Sequence, residues 1–88
     1  MKISEIIWDD DTIAHIARHA VTPQEVEDIC FKERPFTLRA RVNRYLALGQ
    51  TEGGRYLTII LEPAGSQRAK VITARAMSEA EQRIYKRR

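Results

Sequence analysis

The chain has 88 residues, 43% apolar and 31% charged, which is enough for one soluble domain spanning 1–88 that buries about 60 to 65% of its unfolded surface around one core. Lone Cys30 excludes an intramolecular disulfide and, with two histidines, falls short of a four-ligand zinc site; apolar runs as short as Ile59-Ile60-Leu61 exclude a membrane span, and Met1-Lys2-Ile3 opens no signal-peptide core, so a cytoplasmic protein without metal or cofactor is expected. The net charge of +3 is polarised: residues 1–33 set three cations against eight acids for −5, and residues 34–88 set twelve cations, ten of them Arg, against four acids for +8.

Lys2 to Trp8 has the β-branched and aromatic content of a short strand, with Ile3, Ile7 and Trp8 as apolar contacts. Asp9, Asp10 and Asp11 supply an N-cap and negative charge at the start of a helix predicted to run to about His19, with Ile13, Ile16, Ala17 and Ala20 inward. Thr22-Pro23-Gln24-Glu25 predicts a second helix start: Thr caps, Pro sits where no amide bond is lost, and Glu closes a capping box. Val26, Ile29 and Cys30 then face inward, and Pro35 ends the helix.

From Thr37 the pattern has period two. Leu38, Ala40 and Val42 alternate with Arg39, Arg41 and Asn43, and Tyr45, Ala47 and Gly49 with Arg44, Leu46 and Leu48, as two strands or one long bent one. Thr51-Glu52-Gly53-Gly54 reads as a hairpin turn and Arg55 to Glu62 as a strand apolar on both faces, hence central. Pro63 to Ser66 turns the chain, Lys70 to Ala74 forms a last strand, and Ser78-Glu79-Ala80-Glu81 opens a C-terminal helix with a second capping box. The expected class is α+β: a small antiparallel sheet with two N-terminal helices and one C-terminal helix, in the order β-α-α-β-β-β-α.

The basic two-thirds of the chain reads either as a solvated face or as a polyanion site. Arg supplies ten of its twelve cations, and the planar guanidinium fork matches phosphate geometry. Arg75 lies where the last strand meets a capped helix. It is placed either to grip a phosphate, where a fixed cation lowers the barrier to attack by an RNA 2′-hydroxyl, or to pair with Glu79 or Glu81. Arg44 and Arg55, on neighbouring predicted strands, either complete a basic patch beside Arg75 or are sheet-surface charges. Glu81 is a helix cap or a general base. His15 and His19 share a helix face, with no Glu or third ligand to make a zinc motif. Trp8 is a core residue or a stacking platform.

The motif order resembles a known family: Trp8-Asp9, then His15-Ile16-Ala17-Arg18-His19-Ala20-Val21, Glu25, Leu48-Gly49, Gly54-Arg55, and Lys70-Val71-Ile72-Thr73-Ala74-Arg75-Ala76 followed by Glu81 and Tyr85. From Trp8 to Tyr85 the chain resembles the BrnT-like toxins, ribonucleases of type II toxin–antitoxin modules with a RelE-like fold. It departs from the pattern where His15 replaces a usual Asn, Arg18-His19-Ala20 a Lys-His-Gly triplet, and Lys70 a common Arg.

The resemblance implies a metal-independent endoribonuclease that inhibits translation. Arg75, Tyr85, His19 and Lys70 would carry the chemistry, and Arg44, Arg55 and Trp8 would hold RNA. Tyr85 would stack a base or exchange a proton with the leaving oxygen, against a plain core role. Its partners would be the RNA substrate and a small DNA-binding antitoxin in a hetero-oligomer. The alternative function is a module that binds nucleic acid or an antitoxin through the same basic face without catalysis. A helix-turn-helix reading of the first two helices fails on sign, because they are acidic.

Overall fold

The computed structural model describes residues 2–32 and 35–88. Its elements are β1 (Glu5–Ile7), α1 (Asp10–Ala17), α2 (Pro23–Glu27) continued by a π-helical turn over Asp28–Lys32, β2 (Phe36–Arg39), β3 (Tyr45–Gln50), β4 (Tyr56–Pro63), β5 (Arg68–Ala76) and α3 (Glu79–Arg87). The strands form one sheet in the order β1-β5-β4-β3-β2, with β4 in the middle as its two-sided apolar pattern predicts. The α+β class is as expected. The meander has four strands rather than three, and β1 joins β5 in parallel, so the sheet is mixed rather than antiparallel.

The helix starts follow the sequence signals. Thr12 N–H donates to Asp9 Oδ1 at 2.7 Å, a bond that lowers the Asp9 pKa. Both capping boxes close, Thr22 with Glu25 and Ser78 with Glu81. Helix α1 stops at Ala17, short of His19, because Ala20 adopts a left-handed φ of 58° and the Val21 N–H turns back to the Ile16 carbonyl. Ile16 is therefore fully buried, but Ala17 and Ala20 are exposed rather than inward. Val26, Ile29 and Cys30 are buried as predicted, and burial, with Glu27 beside it, pushes the Cys30 thiol up to about 12. The helical turn after α2 runs to Lys32; Glu33 and Arg34, just before Pro35, lie outside the described residues.

The period-two run from Thr37 conceals a turn. Ala40 N–H bonds to the Arg44 carbonyl, Asn43 takes a φ of 61°, and Val42 sits at the tip, 91% exposed, rather than in a strand. Alternation alone cannot detect a break that keeps the parity of apolar and polar residues. The flanking strands also differ in length: β1 is shorter than Lys2 to Trp8, and β5 extends two residues beyond Lys70 to Ala74 at each end.

The two sheet faces are unequally covered. On one, Ala47, Leu57, Ile59, Leu61 and Val71 pack with Ile16, Val21, Val26 and Ile29 from the helices. Gly49 belongs to this face by alternation, and a Cβ there would sit 2.5 Å from Ile29 Cγ2, so the absent side chain makes room for the π-helical turn. On the other face α3 seals only one end, where Tyr85 and Met77 cover Leu48. Leu48 and Thr58 are fully buried there, whereas Leu38, Leu46 and Ile60 further along stay half exposed. That open half of the sheet is where polar side chains of β5 emerge.

Candidate functional site

The ladder sets Lys70 opposite Glu62, Thr73 opposite Ile60 and Arg75 opposite Thr58. A bulge at Ile72 absorbs one residue between Val71 and Thr73, so Lys70, Thr73 and Arg75 all emerge on the open face. Arg75 is tied down at the α3 end of this column. It donates to Glu81 through NH1 at 2.7 Å and NH2 at 3.0 Å, and through NH1 to the Ala76 carbonyl. Glu81 also accepts from Ser78 N–H and the Thr58 hydroxyl. Its carboxyl is held down at about 2, chiefly by the Arg75 bond and then by Ser78 and Thr58, against an opposing push from burial.

The other arginines expected beside Arg75 do not converge on it. Arg55 turns to the helix-covered face, where NH1 bonds the Ala20 carbonyl at 2.6 Å and pairs with Glu25 at 2.9 Å. Arg44 shares the face of Arg75 but stands at the opposite end of the β3–β4 hairpin from Arg55, roughly 20 Å away at 3.3 Å per residue. It pairs with Glu62 at 3.4 Å. Arg68 pairs with Glu5. The expected single basic patch is thus resolved into separate ion pairs. Neither Arg44 nor Arg55 lies in a strand as expected: Arg44 immediately precedes β3 and Arg55 immediately precedes β4, so they flank opposite ends of that hairpin, and the acidic N-terminal third supplies partners for Arg55 and Arg68.

Lys70 is exposed and, among the described residues, has no carboxylate within ion-pair distance; its charge helps to lower the Asp9 pKa. Trp8 is half buried against the core, with its indole N–H donating to Glu27 Oε2 at 3.0 Å, so its polar edge is already used. Tyr85 is 9% exposed, edge-on to Tyr56 at 6.0 Å and capped by the Arg88 guanidinium 3.8 Å from its ring centre. Its ring packs α3 onto the sheet. His19 is exposed and meets the ring of His15 edge-on at 5.5 Å.

One contact at this site has no local signal in the sequence. His15 Nε2 lies 3.0 Å from Thr73 Oγ1, which joins α1 to the same β5 column that carries Arg75. Thr73 could have been found from its place two residues before Arg75 in a strand, but nothing local brings residue 15 to residue 73. Among the described residues, no group of three or more His, Cys, Asp or Glu gathers as metal ligands. Among the same residues, no helix is long and apolar enough to cross a membrane.

Fold and site together define a class of small α+β protein: a mixed five-stranded sheet, two short helices on one face, and a second face left half open beside a Lys-Thr-Arg column. No family model matches the sequence, and no curated protein matches it either. Among solved structures the chain is similar to the ribonuclease toxin BrnT of Brucella abortus, with 26% identity and a TM-score of 0.68 over 85% of this chain and 97% of that one. The chain shares the fold of that toxin.

Proposed function

We propose that the chain is an endoribonuclease toxin of a type II toxin–antitoxin module that cleaves RNA, without a metal, on the open sheet face. The observation that carries this reading is the similarity to a ribonuclease toxin over nearly the whole of that structure, at 26% identity. The site chemistry is compatible with it. A guanidinium has five N–H donors; Arg75 uses three on Glu81 and Ala76, which leaves Nε–H and one NH2 hydrogen for a phosphate. Glu81 thereby orients the arginine as well as neutralising it. Exposed Lys70, further along β5, adds a second cation for the backbone.

In this reading Arg75 stabilises the charge that builds on phosphorus as the ribose 2′-oxygen attacks. A small DNA-binding antitoxin would hold the toxin silent in the cytoplasm as a hetero-oligomer, and release would inhibit translation by RNA cleavage. Arg44, Arg55, Trp8 and Tyr85 contribute through the framework, since each is already engaged in a pair or in packing.

A second reading, a binding module without catalysis, draws on those same ion pairs. Carboxylates at Arg44, Arg55, Arg68 and Arg75 weaken the charge available to a transition state. Incubating purified protein with labelled RNA in the presence of a chelator separates the two. The nuclease reading expects cleavage that falls about 100-fold or more in Arg75→Ala. Salt-sensitive binding with no cleavage, chelator present or absent, establishes the binding module instead.

A further inference from the structure

We propose that His15 is a catalytic residue of this site, a general base that takes the 2′-hydroxyl proton of the ribose whose 3′-phosphate Arg75 holds; this rests on the ribonuclease reading above. β1 pairs with β5 only as far as Lys70, and beyond that point α1 packs alongside β5. His15 comes from α1 to Thr73, which shares a face with Arg75 and lies about 7 Å from it along the strand. That interval suits one ribose-phosphate link.

The hydrogen bond to Thr73 does for the imidazole what an orienting partner does for any general base. With Nε2–H donating to Thr73 Oγ1, the ring is fixed and its lone pair sits at Nδ1, which has no partner among the described residues. His15 is exposed, so a substrate hydroxyl can reach it. The charged groups nearest it in the chain are Asp11, one turn back on α1, and Arg18 and His19 in the turn that follows α1; Lys70 and Arg75 flank Thr73 on β5.

The step balances without a further reagent. Nδ1 takes the 2′-hydroxyl proton, the O2′–P bond forms, the P–O5′ bond breaks, and the departing oxygen takes a proton from water. The hydroxide left behind deprotonates the imidazolium. The products are a 2′,3′-cyclic phosphate and a 5′-hydroxyl.

The test measures single-turnover cleavage of a labelled oligoribonucleotide by wild type, His15→Ala, His15→Gln and Thr73→Val, with RNA affinity and thermal unfolding followed in parallel. His15→Ala and His15→Gln are expected to lose about 100-fold in rate, keep RNA affinity within about twofold, and flatten the acid limb of the pH–rate profile. Free imidazole is expected to restore His15→Ala in a concentration-dependent way, and Thr73→Val to lose about tenfold. A His15→Ala protein that cleaves like wild type, or that loses activity without imidazole restoration, overturns the assignment while wild-type cleavage leaves the nuclease reading standing. A wild-type protein that cuts no RNA sinks both.

Discussion

The Glu81 carboxylate caps α3 and holds Arg75 at the same time: it accepts from Ser78 N–H at 2.8 Å and from the guanidinium at 2.7 and 3.0 Å. Glu25, in the capping box of α2, does the same for Arg55. In both cases the third residue of a helix points back past its own N-terminus and clamps an arginine that flanks or lies near the end of a strand. The device ties helix to sheet through one side chain and sets how much positive charge each arginine shows to solvent.

Removing the Glu81 charge should move binding and stability in opposite directions. In Glu81→Gln the amide oxygen still caps Ser78, but Arg75 regains its net charge. The slope of log affinity for RNA against log salt is expected to steepen by about 0.7 to 0.9, one extra phosphate contact. Stability to urea should fall by about 1–3 kcal/mol as the charged pair is lost. An unchanged salt slope would show that Arg75 does not meet the polyanion.

Acid should expose the same pair. The Glu81 carboxyl falls from 4.5 to about 2, mainly through Arg75, so the folded state binds its proton less readily than the unfolded chain. A depressed carboxylate pKa stabilises above the unfolded value and loses that contribution as pH falls through the folded one. The loss therefore lies between about pH 4.5 and pH 2. The shift amounts to at most about 3 kcal/mol, and nearer 2 once solvent at the 37% exposed Arg75 side chain is allowed for. Urea titrations across that window should show the decline in wild type and a flatter curve in Glu81→Gln.

Local signals in the sequence carried much of the fold. Both capping boxes, the Thr51 to Gly54 turn and the central position of β4 are written in runs of four to eight residues, and each stands in the structure. What was not legible is non-local or parity-preserving. The Asn43 turn keeps the alternation around it, and the parallel docking of β1 joins residues 63 apart. The same distinction governs the site: Arg75 and Glu81 were readable as neighbours, but the His15 to Thr73 contact, the Glu25 clamp on Arg55 and the separation of Arg44 from Arg55 depend on how distant segments pack.

Gly49→Ala probes the tightest contact between sheet and helix. The new methyl would begin 2.5 Å from Ile29 Cγ2 and 3.2 Å from Cγ1, so Ile29 or the strand must shift. An overpacking cost of about 1–3 kcal/mol is expected in urea unfolding. Ile29→Ala removes both clashing atoms, so the cost of Gly49→Ala should nearly vanish in that background, though Ile29→Ala is itself destabilising. Additive losses in the double variant would mean that the strand backbone, not Ile29, is the obstacle.

Arg55→Ala separates a structural arginine from a functional one. The side chain serves two acceptors on the helical face, the Ala20 carbonyl and the Glu25 carboxylate, and nothing in its geometry points to the open face where Lys70, Thr73 and Arg75 emerge. Its removal leaves Glu25 capping α2 but unties that helix from the start of β4. With the pair partly open to solvent, the expected loss is about 1–2 kcal/mol of unfolding free energy. Cleavage per folded molecule and the salt slope of RNA binding should both stay at wild-type values, in contrast to Arg75→Ala. A drop in cleavage at full folding, read from the same sample by circular dichroism, would instead place Arg55 on the path of the RNA and extend the binding surface around the sheet edge.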